Sequence, residues 1–283
     1  MNNKFTQKVT NISDGKRLDE FSAEAFNISK SQAQKLIKER LILLNGTKSI
    51  PKKKVVKNDM ITYLVNKRGK DTIIPIIFED DCIIVVNKPS GITVHPASSE
   101  KNYTVTEIMS GAGKVFPVHR LDKGTSGVML LAKTAKIHKT LQDQFRERTV
   151  VKEYLALLEG RIVPENGLID IPLGREEQAR NKIGPKSGGR SAKTQYEVKE
   201  CLKDYSYVSA YPKTGRTHQI RVHFSALGFP VVGDIRYGAK SKVSKRVFLH
   251  SHLLSFIHPK TGKLVTYKAE LPDDLQEVLT KLK

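Results

Sequence analysis

The chain has 283 residues, long enough for a large domain and a small one, each burying a core of its own. Its formal net charge of +20, with a pI near 9.8, is more single-sign charge than solubility requires and points to an anionic partner. Two cysteines without CxxC spacing exclude a disulfide framework or a thiolate metal site. No apolar run nears the ~18 residues of a membrane span, and Met1 to Lys4 begin no signal-peptide core, so a cytoplasmic protein without membrane attachment is expected.

The charge is uneven. Residues 1–70 carry 16 Lys+Arg against 6 Asp+Glu, which is half the excess in a quarter of the chain. That predicts a basic module over 1–66, a linker over 67–74 and a second domain over 75–283. Within the module, Ser31 and Gln34 have the spacing of a capping box. Ala33, Leu36 and Ile37 form an apolar stripe, and Lys35, Lys38 and Arg40 fall outside it. Leu41 to Leu44 reads as a short strand, Asn45-Gly46 as a hairpin turn, and Ile61 to Val65 as a later strand. Any single lysine here suits a solvated helix face. The module as a whole suits phosphates, because Lys and Arg replace condensed counterions.

Arg17-Leu18-Asp19, Ser29 to Ile37 and Leu44-Asn45-Gly46 together resemble the small RNA-binding domain named after ribosomal protein S-four. The resemblance implies recognition of folded RNA by shape and backbone, with Arg17, Lys35 and Lys38 among the contacts.

From residue 75 onward strands dominate. Ile83 to Val86 is a β-branched run ending in the turn Asn87-Lys88-Pro89-Ser90-Gly91. In His119-Arg120-Leu121-Asp122-Lys123-Gly124-Thr125-Ser126-Gly127 a carboxylate sits between basic residues. The apolar run Val128 to Ala132 follows as a buried strand, which anchors the turn at a sheet edge with Asp122 on the rim. An acid there serves chemistry on a polyanion, or only caps its turn. A helix is predicted over 134–148 through Ile137, Leu141 and Phe145, and a strand over 151–158 holding Tyr154. Residues 173–191, basic and rich in Gly and Pro, read as a long exposed loop without fixed shape until RNA arrives. Further strands follow at 193–199, 205–211, 247–257 and 264–271, with a closing helix over 272–283. The expected class is α+β: a large mixed or antiparallel sheet with flanking helices, preceded by the small module.

A second cluster runs from Lys213 to His223. Gly215 permits a turn, Thr217 is a natural N-cap, and Ile220, Phe224 and Leu227 mark the buried face of a helix ending at Gly228. Arg216 then stands just outside the helix N-terminus, where guanidinium and backbone N–H groups serve an anion, either a phosphate or the Asp122 side chain. His218 and His223 lie about 140° apart on such a helix, unlike the i, i+4 pair of a zinc helix. No metal is expected, and both read as hydrogen-bonding residues near the cleft.

These two motifs, with Lys88-Pro89-Ser90-Gly91, Val94-His95-Pro96 and Val231-Val232-Gly233-Asp234, resemble in order the RluA-type RNA pseudouridine synthases over residues 75–260. The resemblance implies Asp122 as the essential carboxylate, Arg216 as its partner, and Tyr154 as the surface on which the target base stacks. It implies Arg120, His218 and Arg221 as RNA contacts, with Arg120 filling the space of the extruded base. The implied reaction converts uridine to pseudouridine in structured RNA, most readily large-subunit ribosomal RNA, without metal or cofactor; the oligomeric state is not legible in the sequence, and a monomer is assumed. The aspartate attacks the anomeric ribose carbon or removes the neighbouring ribose proton. A tRNA target, or a non-catalytic protein of RNA binding or ribosome assembly, are the alternatives.

Overall fold

The structure is a computed structural model that describes residues 3–10, 13–26, 28–65, 73–95, 104–109, 114–176 and 182–283. The chain divides into two compact units. The first comprises residues 1–88, 92–118 and 130–139, and the second residues 89–91, 119–129 and 140–283. Most of the linker expected over 67–74 lies outside the described residues.

The first unit opens with β1 (Asn3–Lys8), α1 (Leu18–Ala25), α2 (Lys30–Lys38), β2 (Ile42–Leu44) and β3 (Met60–Val65). The three strands form a sheet in the order β1-β3-β2. The stripe on α2 is buried as its spacing requires: Ala33, Leu36 and Ile37 pack with Leu18, Phe21, Ile42, Val55 and Ile61, and Lys35, Lys38 and Arg40 stay exposed. The capping box sits two residues earlier than expected. Ser29, in extended backbone, accepts from the Gln32 N–H, and the Gln32 side chain accepts from the Ser29 N–H. Ser31 is already helical, so it lacks the non-helical backbone a cap needs. Asn45 and Gly46 make the expected turn with φ of 49° and 74°. The unit continues through β4 (Ile76–Glu79), β5 (Ile83–Lys88), α3 (Val105–Met109), β6 (Phe116–Pro117), the end of β7 (Ser126–Ala132) and the start of α4 (Ala135–Glu147). Here β4 pairs with β5, and β6 with the last residues of β7, both antiparallel.

The second unit takes the start of β7 and most of α4, then β8 (Val151–Glu159), β9 (Asn166–Asp170), β10 (Leu173–Arg175), β11 (Ile183–Pro185), β12 (Lys193–Leu202), β13 (Tyr205–Pro212), α5 (Gln219–Ala226), β14 (Leu249–Ile257), β15 (Leu264–Lys268) and α6 (Asp273–Leu282). Its strands run β14-β8-β13-β12-β9, all antiparallel, with β15 also on β14. The first residues of β7, Ser126 and Gly127, pair parallel with His250 and Ser251 of β14, which makes the sheet mixed. This is the expected α+β class.

β7 is the buried strand expected, with all seven residues buried, as a run apolar on both faces demands. One expectation changes. Residues 173–176 and 182–191 are no shapeless loop, because β10 and β11 pair as a two-stranded ribbon; residues 177–181 lie outside the described residues. Leu173 supplies the reason: it joins Ala192, Val222 and Tyr237 in a small buried cluster and pairs with Arg190. That apolar anchor offsets the ordering entropy which the Gly and Pro content was expected to leave unopposed.

Candidate active site

The turn before β7 is braced from several sides. The Thr125 N–H donates to the Asp122 carbonyl (3.1 Å), the Gly91 N–H to Lys123 O (2.7 Å) and the Ser90 hydroxyl to Gly124 O (2.9 Å). The Pro89–Gly91 turn therefore holds the backbone of the Asp122 turn. Gly127 lets β7 approach β14. Its φ is +115°, and a Cβ there would meet the Ser251 backbone carbon and nitrogen at 2.7 Å. Only glycine fits both conditions.

Asp122 is half-buried, and its Oδ2 accepts from Arg221 Nη1 at 3.1 Å. The same guanidinium donates through Nε and Nη2 to the two oxygens of Asp234, at 2.6 and 2.9 Å, and lies over the Tyr237 ring, 5.0 Å from its centre. Asp234 is buried with 1% exposure, so one cation bridges an internal carboxylate and the partly open one. Burial works against charge on Arg221, but Asp234 and then Asp122 outweigh it and leave its pKa above the ordinary arginine value. Asp122 Oδ1 takes no hydrogen bond from the described residues.

This differs from the expected pairing with Arg216. Arg216 donates its Nε to Ser191 O (3.0 Å) instead. The cause is local. Gln219, 4% exposed, accepts from the Thr214 hydroxyl and the Arg216 N–H, and donates to Lys193 O and Thr194 Oγ1. That network turns the Gly215–Thr217 segment towards β12 and delays the start of α5. The residue ahead of the helix is His218, in the left-handed region (φ 55°), and not Thr217. Arg221, the third residue of the helix, then takes the place on Asp122. It was expected as an RNA contact and is instead an internal bridge.

His218 Nδ1 bonds the Tyr237 hydroxyl at 2.8 Å, and its Nε2 lies 3.8 Å from Asp122 Oδ2. Burial, aided by Arg221 and Arg236, holds the His218 pKa below the ordinary histidine value against the pull of Asp122 and Asp234. It therefore stands at Asp122 as a neutral ring. His223 belongs to the core rather than the cleft. It is fully buried, with Nδ1 on Thr194 Oγ1 and Nε2 on Ile171 O. On α5, Ile220 and Phe224 are buried as expected, but Leu227 is 40% exposed. Among the described residues no group of three or more His, Cys, Asp or Glu is placed to hold a metal.

Tyr154 sits in β8 opposite Ser251 of β14 and Ala210 of β13. Burial pushes its pKa up to about 12, with Asp122 adding to the rise and a hydrogen bond with Ser251 opposing it. It is a neutral phenol whose ionisation feels Asp122. His119 stacks on Phe145 (5.0 Å between ring centres), and burial, then Lys152, lower its pKa to about 3. Arg120 is exposed.

Residues 82–226 match the family model described as RNA pseudouridylate synthase, and residues 16–61 match the S4 domain. The chain belongs to the RNA pseudouridylate synthase family. This synthase is 34% identical to an uncharacterised RNA pseudouridine synthase of Bacillus subtilis, over 94% of each chain. It is 36% identical to the ribosomal large subunit pseudouridine synthase D of Neisseria meningitidis, over 95% of this chain and 79% of the relative. It is also similar to the structure of human RNA pseudouridylate synthase domain containing 1, with a TM-score of 0.62 and 30% identity over 73% of this chain and 87% of that one.

In the part of the synthase matching the S4 domain, Arg17 is committed internally. It donates Nε and Nη2 to the two oxygens of buried Asp19 (3.0 and 2.7 Å), which also accepts from Gln34. Lys35 and Lys38 remain exposed on α2. Two residues of the site had been given no role: Asp234 closes the Val231–Asp234 motif that helped carry the resemblance, and Tyr237 carried no signal of its own. Among the described residues no helix is long and apolar enough to cross a membrane.

Proposed function

We propose that this RNA pseudouridine synthase isomerises uridines of large-subunit ribosomal RNA, with Asp122 as the catalytic carboxylate. The observation that carries the assignment is the asymmetry at Asp122: Oδ2 is engaged by Arg221 and Oδ1 takes no bond from the described residues. A carboxylate aimed through one oxygen presents the other to the ribose, whether it attacks the anomeric carbon or takes the neighbouring proton. Arg221 is the positioning residue, itself steadied by Asp234 and Tyr237. A target uridine must leave its stack, and Tyr154 offers an uncharged ring for the uracil while exposed Arg120 fills the vacated space. The isomerisation breaks the bond from ribose to uracil nitrogen one and forms one to carbon five, whose proton leaves as nitrogen one gains another; it is redox-neutral, so it needs neither metal nor cofactor.

The relatives named as ribosomal large subunit synthases support ribosomal RNA over tRNA. A non-catalytic binder is disfavoured, since an open carboxylate oxygen among cations weakens the grip on phosphates. The same reading assigns residues 1–66 to RNA capture through Lys35 and Lys38, residues 75–283 to catalysis, and the protein to the cytoplasm as a monomer. The test is tritium release from a large-subunit ribosomal RNA transcript labelled at uracil carbon five. Wild type should release label without added metal, and Asp122→Asn should lose at least about a thousandfold of the rate. Full activity in Asp122→Asn removes the role given to Asp122. Release from tRNA but not from the ribosomal transcript replaces the substrate.

A further inference from the structure

Beside Tyr154 lies a group of cations that the reaction as derived does not use. β8 alternates, so Lys152 shares the face of Tyr154, about 6–7 Å along the strand, while Glu153 points the other way and accepts from the Ser209 hydroxyl at 2.7 Å. The Lys152 ammonium sits over the Phe145 ring, 6.0 Å from its centre, and that ring stacks on His119, three residues before Asp122. Two more cations reach Lys152. Arg148 lies between α4 and β8 with a left-handed backbone (φ 63°). Lys213 follows β13, whose Ala210 pairs with Tyr154, and the register brings Lys213 to the start of β8.

Both repel Lys152. Burial first, then Arg148 and Lys213, lower the Lys152 pKa to about 8. Among the described residues none of the three has a carboxylate within ion-pair distance, whereas Arg221 has two. Arg148 and Lys213 are exposed and Lys152 is half-buried, an arrangement with one inner donor and two outer ones. Like charges gathered without a counter-ion are destabilising until an anion arrives.

We propose that Arg148, Lys152 and Lys213 seat a phosphodiester of the RNA strand that carries the target uridine. Its oxygens accept from the three donors while Tyr154 holds the neighbouring base. The inference rests on the reading that the base lies on Tyr154, but the seat itself is testable without turnover.

The test is binding of fluorescent octauridylate to the full-length protein between about 50 and 200 mM salt, read by anisotropy. Lys152→Gln and Lys213→Gln should each weaken binding about fivefold near 100 mM salt and reduce the slope of log K against log salt by about 0.7, the value of one single-strand phosphate. Lys152→Arg should keep the wild-type slope. Lys281→Gln, exposed on α6, should change nothing. Lys213 is on the surface, so its variant reports even if Lys152→Gln fails to fold. Unchanged slopes in folded Lys152→Gln and Lys213→Gln, with tritium release intact in the wild type, overturn the seat and leave the enzymatic reading standing. Reduced slopes with no wild-type release from the ribosomal transcript keep the seat and overturn the substrate. Binding of poly-glutamate with the same Lys152 dependence, and none of octauridylate, overturns RNA in favour of an acidic protein partner.

Discussion

The second unit handles cations in two opposite ways. At Asp122 the guanidinium of Arg221 is enclosed by two carboxylates and a tyrosine ring, so its charge is spent inside the protein on aiming a side chain. At the start of β8, Arg148 and Lys213 repel Lys152, and none of the three has a carboxylate within ion-pair distance among the described residues. The first arrangement is complete without a ligand, and the second is not. A cation that orients catalytic machinery must be neutralised by the fold, and one that meets substrate must be left for the substrate to neutralise.

The comparison breaks most sharply at Arg221. Arg221→Ala leaves Asp234 buried without its cation, and it should cost about 3–5 kcal/mol in denaturant unfolding. Arg221→Lys loses the two-pronged grip on Asp234. It should lower kcat about a hundredfold with RNA affinity unchanged, whereas Arg216→Ala should leave kcat within about threefold. If Arg216→Ala shows the larger loss of kcat, the assignment of partners is reversed.

Gly127→Ala tests the frame that carries Asp122. The positive φ and the close approach to Ser251 act together, and a loss of about 3 kcal/mol or more is expected, visible as a lowered Tm. A substitution that leaves Tm unchanged would mean that β7 and β14 are not held as closely as described.

The smallest effect lies in pH. With a folded pKa of about 8, Lys152 is charged below that value and loses its proton above it. Arg148, Lys213 and the neutral ring of His119 are the groups around it. Octauridylate affinity should therefore fall a few-fold as pH rises through about 8, and the fall should vanish in Lys152→Arg, whose guanidinium stays charged. A pH-independent affinity in the wild type removes Lys152 from the contact.

Much of this was legible in the residues themselves. The apolar run marked β7 and its burial, and the stripe on α2 sat where its period put it. The motif from His119 to Gly127 by itself left Asp122 open between chemistry and a turn cap, and the ordered set of motifs shared with the family decided for chemistry. The misreadings fall where one side chain chooses among near neighbours. Arg216 and Arg221 lie in one motif, and only the inward pull of Gln219 and the late start of α5 decide between them. The capping box moved from Ser31 to Ser29 for a similar reason, since both serines satisfy the spacing and the backbone selects one. The ribbon of β10 and β11 was hidden because its glycines and basic residues outweigh the single anchor, Leu173.

Local pattern by itself determined which segments fold, which turn holds the acid and that the surface seeks an anion, because period, turn chemistry and net charge act over a few residues or over the whole. Tertiary structure alone decided which cations are neutralised. Asp122 and Arg221 stand 99 positions apart, and Lys152 meets Lys213 across two strands. Whether a charge is paired depends on what the fold brings within a few ångströms, and no spacing along the chain encodes that distance.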